Sequence, residues 1–158
     1  MRTIPALSAF IAILAGAAAA KDLLPYEDGR SGTATVVPAD WRELPPDERW
    51  HGTRFVSPDG SSWLAVYAAP KTGSIEAHMN ATTQVDGETI TYLVRRPGWL
   101  VVSGHKGDRI FYRKAILACG GTVWHHIALE YPARLQRTYD PLVSVVSRSL
   151  EPGANACG

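Results

Sequence analysis

Apolar and polar positions change period several times along this chain, and each change predicts an element. TATVVP at 33–38 gathers β-branched residues ahead of a proline, which predicts a short strand. TRFV and SSWLAVYAA flank Ser57-Pro58-Asp59-Gly60, where proline presets a turn and glycine closes it, so this stretch predicts a hairpin. In its second arm Trp63, Ala65 and Tyr67 share one face while Leu64, Val66 and Ala68 share the other. Apolar residues on both faces predict a strand covered on both sides. From Glu88 the chain alternates as a meander: ETITYLVR, a turn at Arg96-Pro97-Gly98-Trp99, WLVVSG, a turn at His105-Lys106-Gly107-Asp108, then RIFYRKAILAC. Gly120-Gly121 predicts a tight two-residue hairpin into TVWHHIALEY, and Pro132 ends the sheet region.

Two stretches carry helical spacing. Residues 73–83 (GSIEAHMNATT) predict a short helix capped by Ser74, with Ile75 and Met79 one turn apart. Residues 132–150 predict a long C-terminal helix whose stripe is Leu135, Tyr139, Leu142 or Val143, Val146 and Leu150. Pro141 either kinks this helix or sits in the first turn of a second segment capped by Asp140. Between the first strand and the hairpin, Pro45-Pro46 excludes a helix interior, and Trp41 and Trp50 are expected to pin that connection to the body. KDLLPYEDGRSG at 21–32 reads as a flexible lead-in.

The first twenty residues do not fit this pattern. MRTIPALSAFIAILAGAAAA has an early Arg2, an apolar stretch, then small residues, and Ala18-x-Ala20 suits signal peptidase cleavage before Lys21. Retention as an N-terminal anchor is the other reading, although the stretch is short and alanine-rich for spanning a bilayer. The domain plan is therefore a signal peptide at 1–20, the lead-in at 21–32 and one domain at 33–158, in a periplasmic or secreted protein. With 158 residues and 46% apolar content the chain supports one real core. Losing Arg2 leaves fifteen of the sixteen Lys and Arg against fifteen Asp and Glu. No block of like charge occurs, so electrostatic capture of nucleic acid is not expected, nor is stable membrane insertion after cleavage.

Candidate chemistry centres on ILACGGTVWHHIALEYP at 116–132. With the glycines at the tip, Leu117 faces Trp124, Ile116 faces His125 and Ala115 faces His126. His125 and His126 then point to opposite sides and cannot both ligate one metal ion. No Cys-x-x-Cys or His-x-x-x-His spacing supplies other ligands, so neither a metal nor a cofactor is expected. His126 shares the face of Cys119 by alternation but lies roughly 10 Å away, too far to activate a thiol. An even cysteine count in an exported chain predicts a Cys119–Cys157 disulfide. The strand after the tip runs out for roughly 30 Å and the last helix returns roughly 27 Å, bringing the tail back to the tip.

Other constellations weigh less. Ser103, His105 and Asp108 share one hairpin tip, which rarely builds a triad. Gly104-x-x-Gly107 is followed by a strand, not by the helix a phosphate loop needs. Asn80-Ala81-Thr82 matches a glycosylation triplet, a pattern common by chance. Arg113 interrupts an apolar strand. An ion pair with Glu130, diagonal on the same face, is the simpler account, and a basic floor under a ligand is the sharper one.

FVSPDGSSWLAVYAAP resembles the start of PsbP-like domains, where such a turn joins two early strands. GWLVVSGHKGDRIFYRKAILACGG, HHIALEYPA and the Tyr139-Asp140 helix are similar to small exported alphaproteobacterial proteins. The resemblance implies a binding or assembly accessory and carries over no catalytic residue. The expected architecture is α+β: an antiparallel sheet of about six to seven strands, flanked by a short middle helix and a long C-terminal helix. The expected function is an exported, non-catalytic binding domain for an envelope protein or small ligand, with Arg113, His105, His125 and His126 as candidate ligand contacts. The alternative is a small periplasmic hydrolase using a histidine-containing cleft, and an envelope-stability role is a third possibility.

Overall fold

A computed structural model describes residues 22–48 and 50–158, and the expected signal peptide lies outside the described residues. Ten strands and two helices follow in the order β1 Leu23–Glu27, β2 Thr33–Pro38, β3 Arg42–Glu43, β4 Gly52–Val56, β5 Trp63–Pro70, α1 Ile75–Thr83, β6 Thr89–Arg96, β7 Trp99–Lys106, β8 Arg109–Ala118, β9 Val123–Pro132, α2 Gln136–Ser149 and β10 Glu151–Pro152. Seven strands form one antiparallel sheet in the order β3-β4-β5-β9-β8-β7-β6, and β1-β2-β10 form a second, small sheet.

The large sheet is covered on both faces, as the two apolar faces of β5 require. On one face Leu64, Val66, Ile127, Leu129 and Ile110 pack against Tyr139, Val143 and Val146 of α2 and against Val37 of β2. Hydroxyls tie these layers: Ser149 Oγ accepts from the Val36 backbone N–H at 3.0 Å, and Tyr112 Oη meets Ser147 Oγ at 2.6 Å. On the opposite face α1 lays Ile75 and Met79 over Leu100, Ala115 and Trp124. Ser74 caps α1 as its sequence requires, its hydroxyl accepting from the Ala77 N–H. Trp41 is buried against Tyr139, while Trp50 packs on Tyr67.

Three local expectations differ from the structure. The lead-in is not loose: Leu23–Glu27 is a strand paired with Ala34–Pro38, so the domain includes residues 22–32. The Tyr26 ring meets Phe55 edge-on at 4.9 Å, and buried Asp28 organises the following turn by accepting from the Ser31 N–H and Thr53 Oγ. Pro25 is tolerated because β1 is an edge strand. No second segment starts at Asp140: α2 is one helix from Gln136 to Ser149 with Pro141 inside it. The residue sits about a turn and a half in, on the exposed side, and its missing N–H would have met the carbonyl of Arg137, near the end where donors are already unpaired. The β8–β9 connection is a four-residue loop, Cys119 to Thr122, because the ladder ends at Ala118 and Val123.

Candidate functional site

The sequence-derived residues occupy three separate places. His125 and His126 face opposite sides of β9, as alternation predicts, and both are buried. His105 is exposed on β7, opposite Thr89 of β6. Arg113 lies on the His126 face of β8, where its ring contact is with Phe111, 4.6 Å from guanidinium carbon to ring centre. Its ion pair is not with Glu130. Arg113 makes a bidentate pair with Glu88, two strands away at the foot of β6, and Glu130 pairs with Arg109 instead. The four residues do not converge on one cleft.

On the α2 side, the hydroxyl of Thr33 donates to the Tyr67 carbonyl at 3.0 Å. Its proton being spent there, His125 Nδ1 is the donor in the 2.8 Å contact with Thr33 Oγ, and the lone pair is left on the buried Nε2. That nitrogen lies 3.9 Å from Cys119 Sγ. Cys119 therefore neighbours His125, not His126 as strict alternation implied. Its φ of +55°, the one positive value among the described non-glycine residues, turns the side chain across to the other face. The thiol is not free: Cys119 and Cys157 form a disulfide with sulfurs 2.03 Å apart. The tail is also held by the Gly153 N–H on the Gly32 carbonyl at 2.8 Å and the Asn155 N–H on Glu27 at 3.1 Å.

On the other face the imidazoles of His78 (α1) and His126 approach Nε2 to Nε2 at 3.1 Å. His126 stacks on Tyr67 at 4.5 Å and His78 on Trp124 at 4.4 Å, so both rings are fixed in plane. Burial first, then the neighbouring His78 and His125, push His126 down to about 3, and burial also lowers His78. Both rings are thus neutral near pH 7 and share one proton. The buried Nδ1 of His126 has no partner among the described residues, which places its proton on Nε2, since a bare lone pair costs less than a bare N–H. This pair was not legible in the sequence. It depends on where α1 docks, and only the apolar Ile75–Met79 step hinted at that.

The remaining feature is the edge of the large sheet. β6 is its outermost strand, bonded to β7 on one side and open on the other. Among the described residues, the large apolar side chains left exposed are Leu24 and, within nine positions, Val85 (38%), Ile90 (38%), Tyr92 (54%) and Leu93 (44%). The β6–β7 ladder slips between Ile90 and Tyr92, after which Tyr92–Arg96 pairs regularly with Trp99–Ser103. Tyr92, Val94 and Arg96 then lie on the α2 face, and Leu93 and Arg95 on the α1 face. Arg95 bridges to α1 through Asn80 Oδ1 (2.7 Å) and Thr83 Oγ1 (3.1 Å), and Glu88 roots the strand through Arg113. The open edge is therefore held at both ends. At the far side of the sheet β3 has two residues, both polar and exposed.

Strand order and helix placement can be matched against solved structures. Cyanobacterial PsbP (CyanoP) from Synechocystis sp. PCC 6803 superposes with a TM-score of 0.61 at 12% identity, over 87% of this chain and 96% of that one. The fold is PsbP-like. The Saccharomyces cerevisiae Ran-binding protein Mog1p shares it, at TM-score 0.57 and 11% identity over 84% of this chain and 96% of that one. So does LpqN, described as involved in cell envelope biogenesis of Mycobacterium tuberculosis, at TM-score 0.54 and 18% identity over 83% and 91%. No family model and no curated protein matches the sequence. Among the described residues no helix is long and apolar enough to cross a membrane.

Proposed function

We propose that this chain is an exported, non-catalytic binding domain that engages a protein partner through the open edge of β6. The observation that carries this reading is the coincidence of an unpaired strand edge with three exposed apolar side chains, Ile90, Tyr92 and Leu93. Soluble domains usually blunt such an edge, because its free N–H and C=O groups template another strand. Here one edge is blunted, the two-residue β3, and the other exposes Ile90, Tyr92 and Leu93 ahead of Arg95 and Arg96. Strand addition at β6 would supply main-chain hydrogen bonds, with pockets on both faces for alternate side chains.

Export is supported by the signal-peptide-like pattern of residues 1–20 and by a disulfide, which persists in oxidising compartments. Two proteins of the same fold are described as Ran-binding and as involved in cell envelope biogenesis. A binding or envelope accessory role fits that company. A hydrolase reading fares worse, because its histidines are split between the two faces of β9 and the exposed end of β7.

The test is a photo-crosslinking amino acid at Tyr92, with one at Arg42 on the β3 edge as control, in the protein expressed in its own envelope. The expected result is a discrete adduct from position 92, absent from position 42 and lost when Leu93→Lys is added. Equal labelling at both positions, or an adduct indifferent to Leu93→Lys, would overturn the assignment.

A further inference from the structure

We infer that the segment received by β6 is the β6 of a second copy of this chain, in antiparallel pairing about a two-fold axis at Val94. This rests on the reading of β6 as the binding edge and names its partner. The regular part of the strand is Tyr92–Arg96, because the slip between Ile90 and Tyr92 limits how far a straight ladder extends. An antiparallel pair places residues on the same face opposite one another. Centred on Val94, that rule sets Val94 against Val94, Tyr92 of each copy against Arg96 of the other, and Leu93 against Arg95.

The ends of the run are complementary to each other. Tyr92 is the most exposed large apolar residue among those described, and it lies on the same face as the exposed Arg96, whose guanidinium keeps free N–H groups beyond the one it donates to the Arg95 carbonyl at 2.8 Å. Crossing the strands brings each ring onto a guanidinium twice over, and a cation over an aromatic face is favourable. Parallel pairing would set Arg96 beside Arg96 instead. On the other face the aliphatic stem of Arg95, already steadied by Asn80 and Thr83, offers Leu93 an apolar partner. The opposite sheet edge cannot accept β6 in its place, since β3 is two residues long. The association is therefore isologous and closes at two copies instead of growing into a filament. One strand pair with its flanking side chains makes a small interface, which predicts a weak dimer with a dissociation constant of about 10–100 µM.

Sedimentation of the mature, oxidised protein across a concentration series measures this directly. The expected results are a monomer–dimer equilibrium, at least tenfold weakening by Leu93→Lys, and weakening by Tyr92→Arg alone. The double change Tyr92→Arg with Arg96→Tyr exchanges the two partners and is expected to restore dimerisation, which a merely misfolded edge would not do. A wild-type monomer at several hundred micromolar, or a dimer unmoved by these changes, overturns the self-pairing. If the chain is monomeric yet the Tyr92 crosslinker captures another protein, self-pairing fails and the binding edge stands. No adduct and no dimer would remove both.

Discussion

Nε2 of His78 lies 3.1 Å from Nε2 of His126, so the short helix α1 is fastened to the middle of the sheet by one shared proton between two neutral rings. An unfolded imidazole takes up a proton near 6.5, whereas folded His126 resists protonation down to about 3. Between those values the unfolded state binds the extra proton, so the stability is fully present above 6.5 and is lost as pH falls toward 3. A loss of about 2 kcal/mol between pH 7 and pH 5 is expected from this one group. Urea unfolding at the two pH values measures it. His126→Gln is expected to flatten that difference, and an unchanged slope would contradict the assignment.

The Arg113–Glu88 pair is nearly dry, with side-chain exposures of 16% and 4%. Arg113→Met strands the Glu88 carboxylate and is expected to cost about 3 kcal/mol in chemical denaturation. Adding Glu88→Leu removes the orphaned charge, and recovery of most of that loss is expected. Additive losses would show that the two residues act independently.

At Gly104 the β7 backbone lies tight against β6: a Cβ there would stand 2.0 Å from the Thr89 carbonyl oxygen. Gly104→Ala must push the strands apart, at about 2 kcal/mol. Hydrogen exchange is expected to quicken first at Thr89 and Ile90, with β9 unaffected.

The disulfide closes a loop with a sequence separation of 38 residues. The chain-entropy model gives about 4 kcal/mol for such a closure. Cys119→Ser with Cys157→Ser is expected to lower unfolding stability by that order while leaving far-UV circular dichroism nearly unchanged.

Features that repeat along one strand or helix were legible in the sequence. The α2 stripe, the opposed faces of His125 and His126, and the Ser74 cap each follow from a period of 3.6 or 2 or from a local hydrogen bond. The disulfide was reachable because strand and helix lengths nearly cancel. What escaped depends on where elements dock. Glu88 reaches Arg113 across two strands, so a rule built on adjacent strands chose Glu130. β1 carries little pattern of its own and is held by Tyr26 on Phe55 and by its neighbour β2. Cys119 changed faces because a left-handed residue cancels alternation.

The sulfur bridge joins the penultimate residue to the loop between β8 and β9, placing β9, α2 and β10 inside a covalent ring. Tension applied at the C-terminus therefore bypasses the last helix and loads that hairpin tip directly. With the bridge intact, a pulled chain extends only as far as the ring permits; once it is reduced, some 38 further residues pay out under force.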